Sequence, residues 1–117
     1  MAEELNITPG PGDQEDVVLC GANSYEEKYY FNERFKALPQ QVKDELKIMC
    51  VLFTEDCGGI LTLEFLRDGT LVFRTRVDDY DFYYDEIEAG LKIRELEEKH
   101  AETLAGIEAY YKALYVS

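Results

Sequence analysis

Residues Ile60 to Val77, ILTLEFLRDGTLVFRTRV, constrain the fold of this chain more tightly than any other stretch. Apolar residues alternate on both sides of Asp68-Gly69, a dipeptide that favours a tight reversal between antiparallel strands. Two loop lengths are conceivable, and only one gives a coherent face. A two-residue loop would pair Phe65 with Val72, Leu63 with Arg74 and Leu61 with Arg76, setting two arginines on the apolar side. A three-residue loop, Arg67-Asp68-Gly69 with Gly69 in the left-handed region, pairs Phe65 with Leu71, Leu63 with Phe73 and Leu61 with Thr75. A slip of one residue turns every side chain to the opposite face, so the second register is expected. It sends Thr62, Glu64, Arg74 and Arg76 to a solvated face, where Leu66 and Val72 are apolar exceptions expected to mark a contact surface.

The rest of the chain can be organised around this hairpin. Residues 1–16 hold Pro9, Gly10, Pro11 and Gly12 among acids and read as a disordered acidic tail. Val17 to Ala22 and Lys28 to Asn32 read as two strands joined by Asn23 to Glu27. Leu38-Pro39 opens a helix, with Pro39 suited to the first helical position. Val42, Leu46, Met49, Cys50, Phe53 and Cys57 recur at spacings of three and four and form its apolar stripe. Gly58-Gly59 ends it with a left-handed cap. After Val77, the residues Ile93, Leu96, His100, Leu104, Ile107, Tyr111 and Leu114 mark a long amphipathic helix. Tyr83, Ile87 and Leu91 share the spacing but fit the later stripe imperfectly, and a kink or break is expected at Gly90. The order is ββαββα. The fold class is therefore α+β: one domain over 17–117, a two-layer sandwich of an antiparallel sheet of about four strands with two helices on one face.

Charge narrows the range of partners. The chain has 117 residues and a net charge of −13. Segments 1–16, 17–59, 60–77 and 78–117 carry −5, −2, +1 and −7. Such a field repels phosphate backbones and favours a basic partner, so a nucleic-acid partner is not expected. No apolar run approaches the roughly 20 residues that span a bilayer, and the first residues lack the basic and apolar regions of a signal peptide. No membrane association and a cytoplasmic location are therefore the expectation. Three cysteines, Cys20, Cys50 and Cys57, do not make a disulfide framework and read as buried free thiols.

Three constellations invite a chemical reading. The first is the acidic-aromatic run 78–86, DDYDFYYDE, in which Asp78, Asp79, Tyr80, Asp81, Tyr83, Asp85 and Glu86 are candidate partner-binding residues. Tyrosines offer rigid contact area and carboxylates attract a basic protein. The plain alternative is a strand end and a helix N-terminus, where acids favour the helix dipole and aromatics pack. The run lacks the spacing of a calcium loop. The second is Glu55, Asp56 and Cys57 beside a glycine turn, a candidate pocket that would need His100, the lone histidine, as its base. A half-buried structural His100 is the simpler expectation. The third is the tyrosine set at 25, 29–30, 80, 83–84, 110–111 and 115, which suits either a core rim or an aromatic-lined pocket. No phosphate loop, nucleophile elbow, paired CxxC or histidine metal motif occurs. A protein without enzymatic activity, metal or cofactor is expected.

The stretches VVLCGANSYEEKYYFN, LPQQVKDELKIMCVLFTEDCGGILTLEF and YDEIEAGLKIRE resemble a family of small acidic proteins of anaerobic bacteria that is catalogued as a domain of unknown function. The resemblance runs from Val17 to the C-terminus and implies a bacterial cytoplasmic protein with no activity to transfer. In layout alone, the helix, hairpin, Asp81-Phe82-Tyr83-Tyr84 and final helix are similar to YezG-like immunity proteins, which neutralise polymorphic toxins. That likeness implies a basic toxin as partner, although two strands ahead of the helix depart from it. Homodimerisation through the last helix or a sheet edge, and small-molecule binding, are the other readings.

Overall fold

A computed structural model describes residues 16–116. The expected tail therefore lies, but for Asp16, outside the described residues. Strand β1 (Val17–Asn23) and strand β2 (Lys28–Phe31) lead through a short 3-10 turn (Glu33–Phe35) into helix α1 (Gln40–Cys57). Strands β3 (Ile60–Phe65) and β4 (Leu71–Arg76) follow, then helices α2 (Glu86–Lys99) and α3 (Ala101–Tyr115). The strands form one antiparallel sheet in the order β2-β1-β3-β4. The α+β architecture expected from the sequence is thus present, with three helices in place of two.

The β3–β4 register pairs Phe65 with Leu71, Leu63 with Phe73 and Leu61 with Thr75, as the matched apolar faces require. Leu66 accepts at its carbonyl from the Gly69 amide, and Gly69 takes φ +91°. The three-residue loop is built around that left-handed glycine. On the helix side of the sheet, Leu61, Leu63 and Phe65 meet Leu46, Met49, Cys50 and Phe53 of α1 in one core. The Tyr111 ring of α3 stacks on Phe65 at 3.9 Å between centroids, and Phe35 tilts against the Phe65 ring at 5.4 Å. Cys20 and Cys50 meet in this core with their sulfurs 3.9 Å apart, while Cys57 is half-buried; all three are free thiols.

Three expectations are corrected. The Pro39 carbonyl accepts from the Val42 and Lys43 amides, so the proline stands just ahead of α1 rather than in its first turn. The break in the last helix falls at His100, not at Gly90. Gly90 costs about 1 kcal/mol of helix propensity, too little to interrupt a helix capped by Asp85 and packed through Ala89 and Leu96. At His100 the ring Nδ1 lies 2.6 Å from Glu45 of α1, and α3 leaves on a new course that brings Ile107 and Tyr111 over the core. Finally, Thr62 and Glu64 on the opposite face of the sheet are buried rather than solvated. The Thr62 hydroxyl donates to Glu64 at 2.7 Å, and Arg74 and Arg76 reach the same carboxylate at 3.1 and 3.5 Å. Leu66 and Val72 are half-buried.

Candidate functional site

The acidic-aromatic run forms the connection between β4 and α2, and its aspartates shape the backbone. The Asp78 carboxylate accepts from the Tyr80 amide at 3.0 Å and Asp81 from the Tyr83 amide at 3.1 Å. Asp85 caps α2 by accepting from Ile87 and Glu88 at 2.9 and 3.1 Å. Both turns and the cap follow from the short reach of aspartate to a nearby amide. Tyr25, in the β1–β2 turn, ties the loop down from the side. Its hydroxyl donates to Asp81 at 2.7 Å and accepts from the Asp78 amide at 3.0 Å. This hydrogen bond holds the Asp81 carboxyl below the usual aspartate range. Burial, then the bond to Asp81, pushes the Tyr25 hydroxyl up.

At its inner end the loop is fastened by Tyr84. Its ring passes so close to Gly59 that a β-carbon there would lie 3.0 Å from Cε1. Gly59 also has φ +70°, so both space and conformation require glycine. The other aromatics turn outward: Tyr80, Phe82 and Tyr83 are 82%, 84% and 98% exposed. Ile87 and Leu91 extend the apolar surface along the outer side of α2, at 77% and 60% exposure. Asp79, Glu86 and Glu88 are exposed around them. The sequence reading missed Phe82, Ile87, Leu91 and the staple Tyr25. Ile87 and Leu91 were legible, because they lie one turn apart and off the stripe of Ala89, Ile93 and Leu96.

The second constellation is dispersed. Asp56 pairs with Lys92 of α2 at 3.1 Å, which explains a carboxylate at a helix C-terminus. Cys57 borders the same shallow groove between α1 and α2, with Glu88, Leu91 and Glu95. Burial pushes its thiol up, and Glu88 and Asp56 add to the rise and outweigh Lys92, so the balance there disfavours the thiolate. His100 stands instead beside Glu45, whose other oxygen accepts from Thr103 at 3.1 Å. Glu45 and Cys57 are twelve residues apart on one helix, about 18 Å at 1.5 Å per residue. His100 is therefore no base for Cys57. Glu55 turns the other way, into a cavity of about 520 Å³ between β2 and α1 with Tyr29, Lys47 and Thr54. The tyrosines divide likewise: Tyr111 is core, Tyr29, Tyr30, Tyr84 and Tyr110 are half-buried, and Tyr25, Tyr80, Tyr83 and Tyr115 are exposed.

Among the described residues no cluster of three histidine, cysteine, aspartate or glutamate side chains is placed to hold a metal ion. No helix among them is long and apolar enough to cross a membrane. Neither the curated proteins nor the solved structures contain a match to this chain. Residues 16–117 match the model of a family of unknown function, DUF6145, and the chain belongs to that family.

Proposed function

We propose that this protein is a non-enzymatic interaction module that binds a basic partner protein through the loop 78–86 and the outer side of α2. One observation carries the reading: three aromatic rings stand almost fully exposed on a loop held in shape by Asp78, Asp81, Asp85 and Tyr25. A rigid loop loses little entropy on binding, and exposed aromatics are the residue type that dominates binding energy. The surrounding carboxylates set the sign of the partner and speed the encounter. The same charge opposes self-association through this surface, which favours a different protein over a second copy.

In its narrower form the reading is a bacterial immunity or inhibitor protein that covers a basic toxin. A toxin gene beside this one would support that form. The general reading is tested by affinity purification from the native host with the wild-type chain and two variants. Tyr83→Ala with Phe82→Ala should release the captured partner, and Asp79→Lys with Glu86→Lys should slow its association and flatten the salt dependence. Among the described residues these side chains make no hydrogen bond or ion pair, so the variants should fold, with Glu86→Lys losing only a favourable charge in the first turn of α2. Undiminished capture by both variants would remove this surface from consideration.

A further inference from the structure

The two edges of the sheet are treated differently. On β4, the outward Leu71 amide is taken by Glu108 of α3 at 2.8 Å, so a strand approaching there meets a carboxylate. On β2 the inward partners are fixed by the bond from the Asn32 amide to the Leu19 carbonyl and by the register of Tyr30 with Gly21 and Lys28 with Asn23. Antiparallel ladders alternate, so the amide and carbonyl groups of Tyr29 and Phe31 point away from β1. Among the described residues nothing pairs with them. Edge strands left in this state invite another strand.

We propose that β2 accepts an extended acidic segment of a partner protein as a fifth strand. Side chains opposite Tyr29 and Phe31 would point to the helix side of the sheet, where α1 presents Lys47 and Lys43. Their ammonium groups lie over the Tyr29 and Phe31 rings at 5.9 and 5.8 Å. Neither pairs with a carboxylate among the described residues. The spacing also fits. Four residues of helix advance about 6 Å and two of a strand about 6.8 Å, so successive inward side chains of the guest meet successive lysines. The local charge agrees: residues 28–47 hold five bases and three acids in a chain whose net charge is −13. The 520 Å³ cavity opens beside Tyr29 and Lys47 to receive one guest side chain. Glu27 and Glu55 also line it, so that position suits a neutral hydrogen-bonding residue, and the carboxylate belongs opposite Phe31 beneath Lys43. Main-chain pairing would supply affinity, and the lysines and cavity would supply selection.

The test uses the full chain and an acetylated nonapeptide that alternates glutamate with glutamine on one face and carries valine and threonine on the other, followed by fluorescence anisotropy and amide hydrogen exchange. Binding should slow exchange at Tyr29 and Phe31 and nowhere on β4. Lys43→Glu with Lys47→Glu should weaken binding about tenfold, equivalent to about 1.4 kcal/mol. A peptide N-methylated at alternate residues should not bind, an arm that leaves the protein unchanged. The proposal is overturned if the peptide does not bind at millimolar concentration, or if it binds without protecting Tyr29 and Phe31. Equal binding of a lysine-for-glutamate peptide would also overturn it. So would protection of those amides in the unliganded chain by a second copy, seen as a dimer in sedimentation.

Discussion

At Gly69 a single methyl group meets two obstacles at once. The residue sits at φ +91°, and a β-carbon there would lie 2.6 Å from Lys112 Cγ and 3.1 Å from Val116 Cγ2 at the end of α3. Gly69→Ala should cost about 2 kcal/mol, read as a lower urea midpoint with unchanged slope. Tyr25 and Asp81 give a pH signature. Asp81 has a depressed pKa in the folded chain, so its bond to Tyr25 is intact above the ordinary aspartate value and is lost as pH falls through the lower folded value. Tyr25 is raised, so its contribution is complete below the ordinary tyrosine value and fades as pH rises through the folded one. The protection of the Asp78 and Tyr83 amides, taken as the intrinsic exchange rate at each pH divided by the observed one, should fall at both extremes and stay level between. Tyr25→Phe should lower it throughout. None of this coupling was readable in advance, because Tyr25 and Asp81 are 56 residues apart and neither sits in a recognisable pattern.

The elements that could be read from the sequence are those whose register is fixed locally. The β3–β4 hairpin is one, since only one loop length brings its apolar faces together. The helix of Val42, Leu46, Met49, Cys50 and Phe53 is another, since its stripe is continuous. The last helix was harder. Its break at His100 is set by Glu45, which belongs to a different element. The second face of the hairpin misled for the same reason. Polar residues at alternate positions look solvated, yet Glu64 lies under Arg74 and Arg76, and Arg74 is shared with Asp16 at 3.5 Å. A buried carboxylate stripped of its cations retains its desolvation cost. Arg74→Met with Arg76→Met should therefore destabilise by about 2 kcal/mol, discounted because both guanidinium groups are partly in water. Adding Glu64→Leu should restore much of that loss, as chemical denaturation would record.

Across the whole molecule, charge is sorted by place. Acids crowd the loop before α2 and the helix itself, whereas bases gather from β2 to the middle of α1 and on β4. Composition revealed the excess of acid but not its geometry, because that depends on which strand becomes an edge. A net charge of −13 repels itself within the fold. Raising sodium chloride from about 20 mM to about 500 mM should screen that repulsion and lift the melting temperature by about 4 °C, equivalent to about 1 kcal/mol. A scanning calorimeter would check it, and a falling melting temperature would mean that attractive pairs outweigh repulsion. The unequal edges of the sheet carry one more consequence. A strand added beside β4 must displace the Glu108 carboxylate from the Leu71 amide, whereas one added beside β2 displaces no backbone partner among the described residues. Stacking through strands is therefore easier at β2 than at β4, and a fibre, which needs both ends to stick, would grow no faster than its poorer end allows.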